Sequence, residues 1–204
     1  MVLLGETMEK TMNLIKDKES GLLYKEETLH LNEQDEYVRY RSHNNGLDNP
    51  DYMAYQKRIY DEFISRFLIG DNHLDFGCGE FAAMKKITEK NLAVYDKYFH
   101  NDPIVLMKQY DTIWLIEVVE HFKDPYEEFE RLFKMLNHQG RLIIQTEFIP
   151  KENLDNWWYL RDKTHYTFYD DQSFKVISKK IGFEVIFSNH INQIVLEKKE
   201  NYKR

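Results

Sequence analysis

The chemistry-bearing residues concentrate first at Leu74-Asp75-Phe76-Gly77-Cys78-Gly79, where a carboxylate precedes two glycines and a short apolar run gives way to a helical pattern. In a strand-turn-helix unit, glycines let the backbone approach a ligand closely, and the next helix offers free N–H groups to it. Many nucleotide-like cofactors are held this way. Asp75 narrows the choice, because a carboxylate there repels a dinucleotide pyrophosphate and suits a ligand bearing ammonium or sulfonium charge. Asp96 ends the next apolar run, at the interval that sets a carboxylate over ribose hydroxyls in nucleotide-binding folds. The competing reading of Asp96 is a solvated strand end. Lys97 and Tyr98 follow it, then Phe99, and an aromatic ring there either walls an adenine or simply packs. Glu117, Glu120 and His121 lie just past another apolar run, where capping the helix announced by Asp124-Pro125 is the rival role for the last two. Glu147, Tyr159 and His165 fall in a long aromatic connection with Trp157 and Trp158. A histidine there has a pKa suited to removing a proton, although structural histidines are common.

These residues need elements to hold them. Residues 1 to about 37 are polar, with short apolar groups and no sustained period, and read as an irregular or hairpin-forming extension. After Asn49-Pro50, Tyr52, Tyr55, Ile59, Phe63 and Phe67 recur at helical spacing up to Gly70. The period then alternates: a strand at 73–76, a helix at about 81–89, a strand at 91–95, a loop through Asn101-Asp102-Pro103, a strand at 112–116, a helix at 126–136 and a strand at 141–145. A helix at about 172–180 stops at Gly182. The last two apolar runs, 183–187 and 193–196, are too close for a parallel crossover and must form an antiparallel hairpin. Alternating strands and helices favour a doubly wound parallel sheet.

The 204 residues suit one domain, perhaps with a short appendage, and the formal charge of −7 lacks the basic footprint of a nucleic-acid binder. Cys78 is the single cysteine, so a disulfide or a cysteine-based zinc cluster within the chain is excluded and a reducing cytoplasm is the expected compartment. The apolar start, residues 1–5, is too short for a signal segment, and no apolar run approaches membrane-spanning length.

From about Tyr37 onward the sequence resembles the class I S-adenosylmethionine-dependent methyltransferases, particularly the bacterial methyltransferase-domain group with an L-D-F-G-C-G opening. The match is carried by residues 74–79, by Val94-Tyr95-Asp96, by Tyr110-Asp111 through Glu117-Val118-Val119-Glu120-His121-Phe122, and by Arg161-Asp162-Lys163-Thr164-His165 with Phe168-Tyr169. The resemblance implies an α/β, Rossmann-like, seven-stranded, mostly parallel sheet with helices on both faces and an antiparallel C-terminal hairpin. It implies S-adenosylmethionine as cofactor, whose ammonium and sulfonium suit Asp75. Gly77, Cys78 and Gly79 would form the cofactor turn, and Glu117, Val118 and His121 would face the methionine and sulfonium end. Tyr40, His43 and Asn44 would fold over the cofactor as a lid. The connection carrying Glu147, Tyr159 and His165 would hang over the transferring methyl, with His165 as general base and no metal required.

Two departures stand out. Phe81 occupies the place of the family's third glycine, and residues 1–36 lack the cysteine pairs of the zinc ribbon that related proteins often carry. Residues 1–36 are therefore expected to be an N-terminal extension, either a cysteine-free remnant of a degenerated ribbon or a segment that never was one, before a methyltransferase domain at 37–204. The expected acceptor is a small molecule; the sequence specifies neither its identity nor an oligomeric state. The rivals are a non-catalytic S-adenosylmethionine-binding or regulatory protein, an NAD-dependent oxidoreductase and an RNA methyltransferase.

Overall fold

The computed structural model describes residues 14–42, 45–88 and 90–199. His43 and Asn44 lie outside the described residues. The centre of the molecule is a six-stranded sheet of β3 (His73–Phe76), β4 (Leu92–Tyr95), β5 (Tyr110–Ile116), β6 (Leu136–Gln145), β8 (Phe183–Ser188) and β9 (Gln193–Lys198), in the order β4-β3-β5-β6-β9-β8. The first four strands are mutually parallel, and β9 runs antiparallel between β6 and β8. The resemblance implied seven strands. The missing one falls in the connection between β4 and β5, where residues 96–109 hold a turn and the one-turn helix α5 (Pro103–Leu106). Adding an edge strand and returning would take two parallel crossovers, each of about a dozen residues or more.

Strand residues alternate between two cores, as a pleated sheet requires. Ile113, Leu115, Leu142, Ile144, Ile194 and Leu196 face one side, against Phe129 and Leu132 of α6 (Pro125–Met135) and Phe174 and Ile177 of α7 (Asp171–Ile181). Trp114, Ile143 and Val195 face the other, against Ile59, Phe63 and Ile64. Those last three belong to α2 (Pro50–Ile59) and the π-helical turn 60–64 that carries it into α3 (Ser65–Phe67). Each fully buried side chain of this kind contributes about 1.5–3 kcal/mol. The helices stop and start where local chemistry dictates. Asp124 and Asp170 accept N–H bonds from Glu127 and Ser173, and Gly182 closes α7 in the left-handed region at φ +112°.

Upstream of the large sheet, β1 (Leu14–Lys16) and β2 (Leu23–Lys25) form an antiparallel hairpin whose turn places Gly21 at φ +79°. β2 also pairs with β7 (Thr167–Phe168), joining Leu23 to Phe168 and Tyr24 to Thr167. Next, α1 (Glu33–Arg41), capped by Asn32, crosses above the carboxyl ends of β3 and β4, where Tyr40 meets Tyr98. The helix expected at about 81–89 is shorter than the sequence pattern suggests: residues 80–83 are turns, Ala82 takes φ +44°, and only α4 (Met84–Ile87) is helical.

Candidate active site

β3 delivers the chain into a turn with Gly77 at φ +81° and Gly79 at φ +68°. The Gly77 and Cys78 amides donate to the carbonyl of Tyr95 at 2.7 and 3.1 Å, which ties the turn to β4. A Cβ on Gly77 would stand 2.5 Å from Cγ2 of Val118, while one on Gly79 would meet nothing within 4 Å. Gly77 is thus required by packing as well as by φ; Gly79 leaves open space. Because α4 is so short, free N–H groups come from the turn itself and not from a helix start. The Asp96 carboxylate is held by three amides: Gly79 N–H donates to Oδ2 at 3.0 Å, and Tyr98 and Phe99 N–H donate to Oδ1 at 2.9 and 3.1 Å.

Beside this turn lies a cavity of about 550 Å³. Tyr40, Gly77, Cys78, Gly79, Asp96, Lys97, Tyr98, Val118 and His121 all line it, as do Phe81 and Phe99. Asp75 sits beneath the lining, 5 % exposed. Burial pushes its carboxyl up to about 7; the Trp114 indole, which makes no well-aligned hydrogen bond, works against the rise, and the charge of Asp96 adds to it. Burial likewise raises the Cys78 thiol and the Tyr40 phenol well above their ordinary values.

Glu36 on α1 carries no signal in the sequence, and yet it organises the cavity roof. It is 3 % exposed and receives hydrogen bonds from Tyr98 Oη and from Tyr166 Oη at 2.8 Å, with Lys123 as its ion-pair partner. Burial alone would raise its carboxyl, but those three partners outweigh it and hold the group down at about 2. Arg41 adds an exposed contact across the mouth, 3.8 Å from Glu80. The N-terminal extension supplies β2, paired to β7, and through Glu36 part of the cavity lining.

Directly after the carboxyl end of β5, Glu117 adopts φ +55°, a conformation costly for a residue with a side chain. Its carboxyl accepts from Tyr159 Oη at 3.0 Å and from Gln145 Nε2 at 3.3 Å, just outside the cavity lining. Burial, the nearby carboxyl of Glu120 and that of Glu147 raise it to about 8, against the bonds from Tyr159 and Gln145. Glu120 is fully buried; Thr146 Oγ1 donates to its Oε2 at 2.9 Å, and Oε1 has no hydrogen-bond partner. His121 Nδ1 bonds the carbonyl of Thr164 at 2.7 Å, and His165 Nδ1 bonds that of Tyr159 at 2.9 Å. A carbonyl only accepts, so each Nδ1 carries the hydrogen. The two rings meet edge to face with centroids 5.0 Å apart. Burial, reinforced by His121, pushes the His165 imidazole down to about 3.

The three residues expected to act on the acceptor are not brought together on the cavity wall. His165 lies behind His121, Tyr159 lies behind Glu117, and Glu147 is in a second cavity of about 200 Å³ with Tyr55 and Asn192, whose amide donates to it at 3.2 Å. Trp157 packs on Tyr159 and Phe168, and Trp158 is exposed. Among the described residues, no helix is long and apolar enough to cross a membrane.

A family model described as a methyltransferase domain matches residues 52–187. No curated protein sequence matches the chain. Solved structures share its fold at low identity. An O-methyltransferase family protein from Burkholderia thailandensis is 8 % identical with a TM-score of 0.55, over 82 % of this chain and 64 % of that one. The N-methyltransferase NodS from Bradyrhizobium japonicum, solved with S-adenosyl-L-homocysteine, is 12 % identical with a TM-score of 0.53, over 82 % and 98 %. The cyclase SpnF is 10 % identical with a TM-score of 0.51, over 74 % and 82 %. At these identities the likeness is one of fold, and the cyclase shows that the fold alone does not decide the reaction.

Proposed function

We propose, on the premise that this chain belongs to the methyltransferase-domain family and works as an S-adenosylmethionine-dependent enzyme, that it methylates a small-molecule acceptor by in-line transfer. The observation that carries this reading is the covered cavity: α1, anchored through Glu36, contributes Glu36 and Tyr40 to its lining. A long polymer would need an open basic groove, and this pocket is lined by Asp96, Asp124, Glu127 and Glu128 as well as by Lys97, Lys123 and Arg131.

The residues present fit the cofactor. A side chain on Gly77 would collide with Val118, and Gly79 keeps its side open to the cavity, so the turn is a backbone cradle. Asp96, already oriented by three amides, is placed to accept ribose hydroxyls, and Tyr98 and Phe99 offer flat surface for adenine. Val118 and His121 form the wall for the methionine end, with the Asp75 carboxyl behind the turn. When bound, S-adenosylmethionine supplies an electrophilic methyl whose leaving sulfur is already cationic and needs no activation. What remains for the protein is orientation, exclusion of water and management of the acceptor's proton. Tyr40 and Glu36 serve the second task. His165 and Tyr159 are positioning residues, acting through His121 and Glu117, and Glu147 orients the segment between β6 and β7.

The test is calorimetry with S-adenosylmethionine followed by transfer of a labelled methyl group to fractions of a cell extract. Binding at the Asp96 site with label entering the low-molecular-weight fraction is expected. Label confined to RNA or protein would overturn the small-molecule reading, and binding without transfer to any fraction would favour a regulatory protein.

A further inference from the structure

We propose that Glu120, His121 and His165 form a binding site for a divalent transition-metal ion at the floor of the cavity. The site's existence stands on its own geometry; its role rests on the methyltransferase reading.

One ligand atom from each of the three residues lies within 4.8 Å of the other two. With both Nδ1 atoms hydrogen-bonded to backbone carbonyls, the lone pair of each neutral ring sits on Nε2. That is the orientation found when a histidine ligates a metal, its other nitrogen fixed by an outer partner. The carboxylate is prepared in the same manner: Thr146 holds Oε2 of Glu120, and Oε1 is left buried without a partner. An orphaned carboxylate oxygen at zero exposure costs several kcal/mol or takes up a proton, unless something cationic meets it. The Oε1 atom lies 3.9 Å from His121 Nε2. Tetrahedral ligands at about 2.0–2.1 Å from a metal stand roughly 3.3 Å apart, so small side-chain rotations close the shell.

Two imidazoles and one carboxylate select a borderline ion such as Zn²⁺, Mn²⁺ or Fe²⁺ over Ca²⁺ or Mg²⁺, which prefer all-oxygen shells. Three protein ligands leave at least one position open, and His121, which lines the cavity, is the ligand through which the proposed site meets the acceptor's space. A metal there would bind an oxygen of the acceptor and lower the pKa of its hydroxyl, the proton passing to solvent water while the oxygen takes the methyl from the sulfonium and S-adenosylhomocysteine leaves. A hydroxyl-bearing acceptor follows, and His165, which positions His121, becomes in addition a ligand of the ion.

The experiment uses the full chain, stripped with a chelator and titrated with Zn²⁺ by calorimetry and with Co²⁺ by absorption in the visible. One equivalent of metal and a Co²⁺ spectrum characteristic of nitrogen and oxygen ligands are expected, with affinity reduced at least about tenfold in His165→Ala and in Glu120→Gln. X-ray absorption on the Zn²⁺-loaded wild-type chain, which does not depend on either variant folding, should show two imidazoles. No stoichiometric binding, equal binding by folded variants, or a shell without imidazole would overturn the site. Metal binding without S-adenosylmethionine binding would leave the site standing and sink the methyltransferase reading; the reverse result would do the opposite.

Discussion

The amide of Gly79 donates to Oδ2 of Asp96 at 3.0 Å, so the glycine turn after β3 and the carboxylate after β4 hold one another in place. The two residues stand 17 positions apart in the chain. The same carboxylate accepts from Tyr98 and Phe99, leaving its remaining lone pairs directed by three fixed donors.

Replacing Asp96 with Ala removes both the cofactor contact and the anchor of three amides. Calorimetry should show S-adenosylmethionine affinity falling at least about tenfold, or about 1.4 kcal/mol. Chemical denaturation should show stability falling by about 1–2 kcal/mol. Unchanged affinity would remove the ribose assignment.

Gly77 and Gly79 should respond unequally to alanine. At Gly77 the positive φ and the 2.5 Å approach to Val118 both oppose a Cβ, so Gly77→Ala is expected to cost about 2–4 kcal/mol. At Gly79 only the φ cost of about 1–2 kcal/mol applies. Adding Val118→Ala to Gly77→Ala should recover the steric part alone. Urea midpoints of the four chains decide the matter, and a larger loss at Gly79 would contradict it.

Glu36 should mark the acid limb of stability. Its folded pKa, about 2, lies below the ordinary carboxylate value of 4.5. The stability it contributes is therefore complete above pH 4.5 and is lost as the pH falls from 4.5 toward 2. Glu36→Gln should lower stability by about 2–3 kcal/mol at pH 7, with the gap to the wild-type chain narrowing over that acid window. Denaturant melts from about pH 3 to about pH 7 would show a constant gap if the ion-pair account were wrong.

Asp75 carries the opposite sign. Burial raises its folded pKa from 3.8 to about 7, so its favourable contribution is complete below 3.8 and is lost as the pH rises through about 7. Asp75→Asn should therefore remove a downward slope of stability between those values, and at pH about 8 the ligand-free variant should be more stable by about 2–4 kcal/mol. Parallel stability profiles for the two chains would show that Asp75 ionises without penalty.

The sequence by itself determined the elements whose signals are local. Period-two and helical spacing put β3 at 73–76 and a helix at 126–136, one residue off α6 at 125–135, Gly182 stopped α7, and the five-residue gap at 188–192 forced β8 and β9 to be antiparallel. The glycine turn and Asp96 were legible for the same reason, since a strand end and its following turn are written in consecutive residues. Only the tertiary structure decided the strand count, because the shortness of 96–109 matters only once a sheet edge needs covering. It also decided the fate of polar side chains. Glu36 finds Tyr98 and Tyr166 across 62 and 130 residues, His165 reaches His121 from a separate loop, and Glu147 turns to a different cavity. A carboxylate is a wall anchor, a candidate ligand or a solvated group according to what is buried around it. Burial is set by packing between distant segments, which no local pattern encodes.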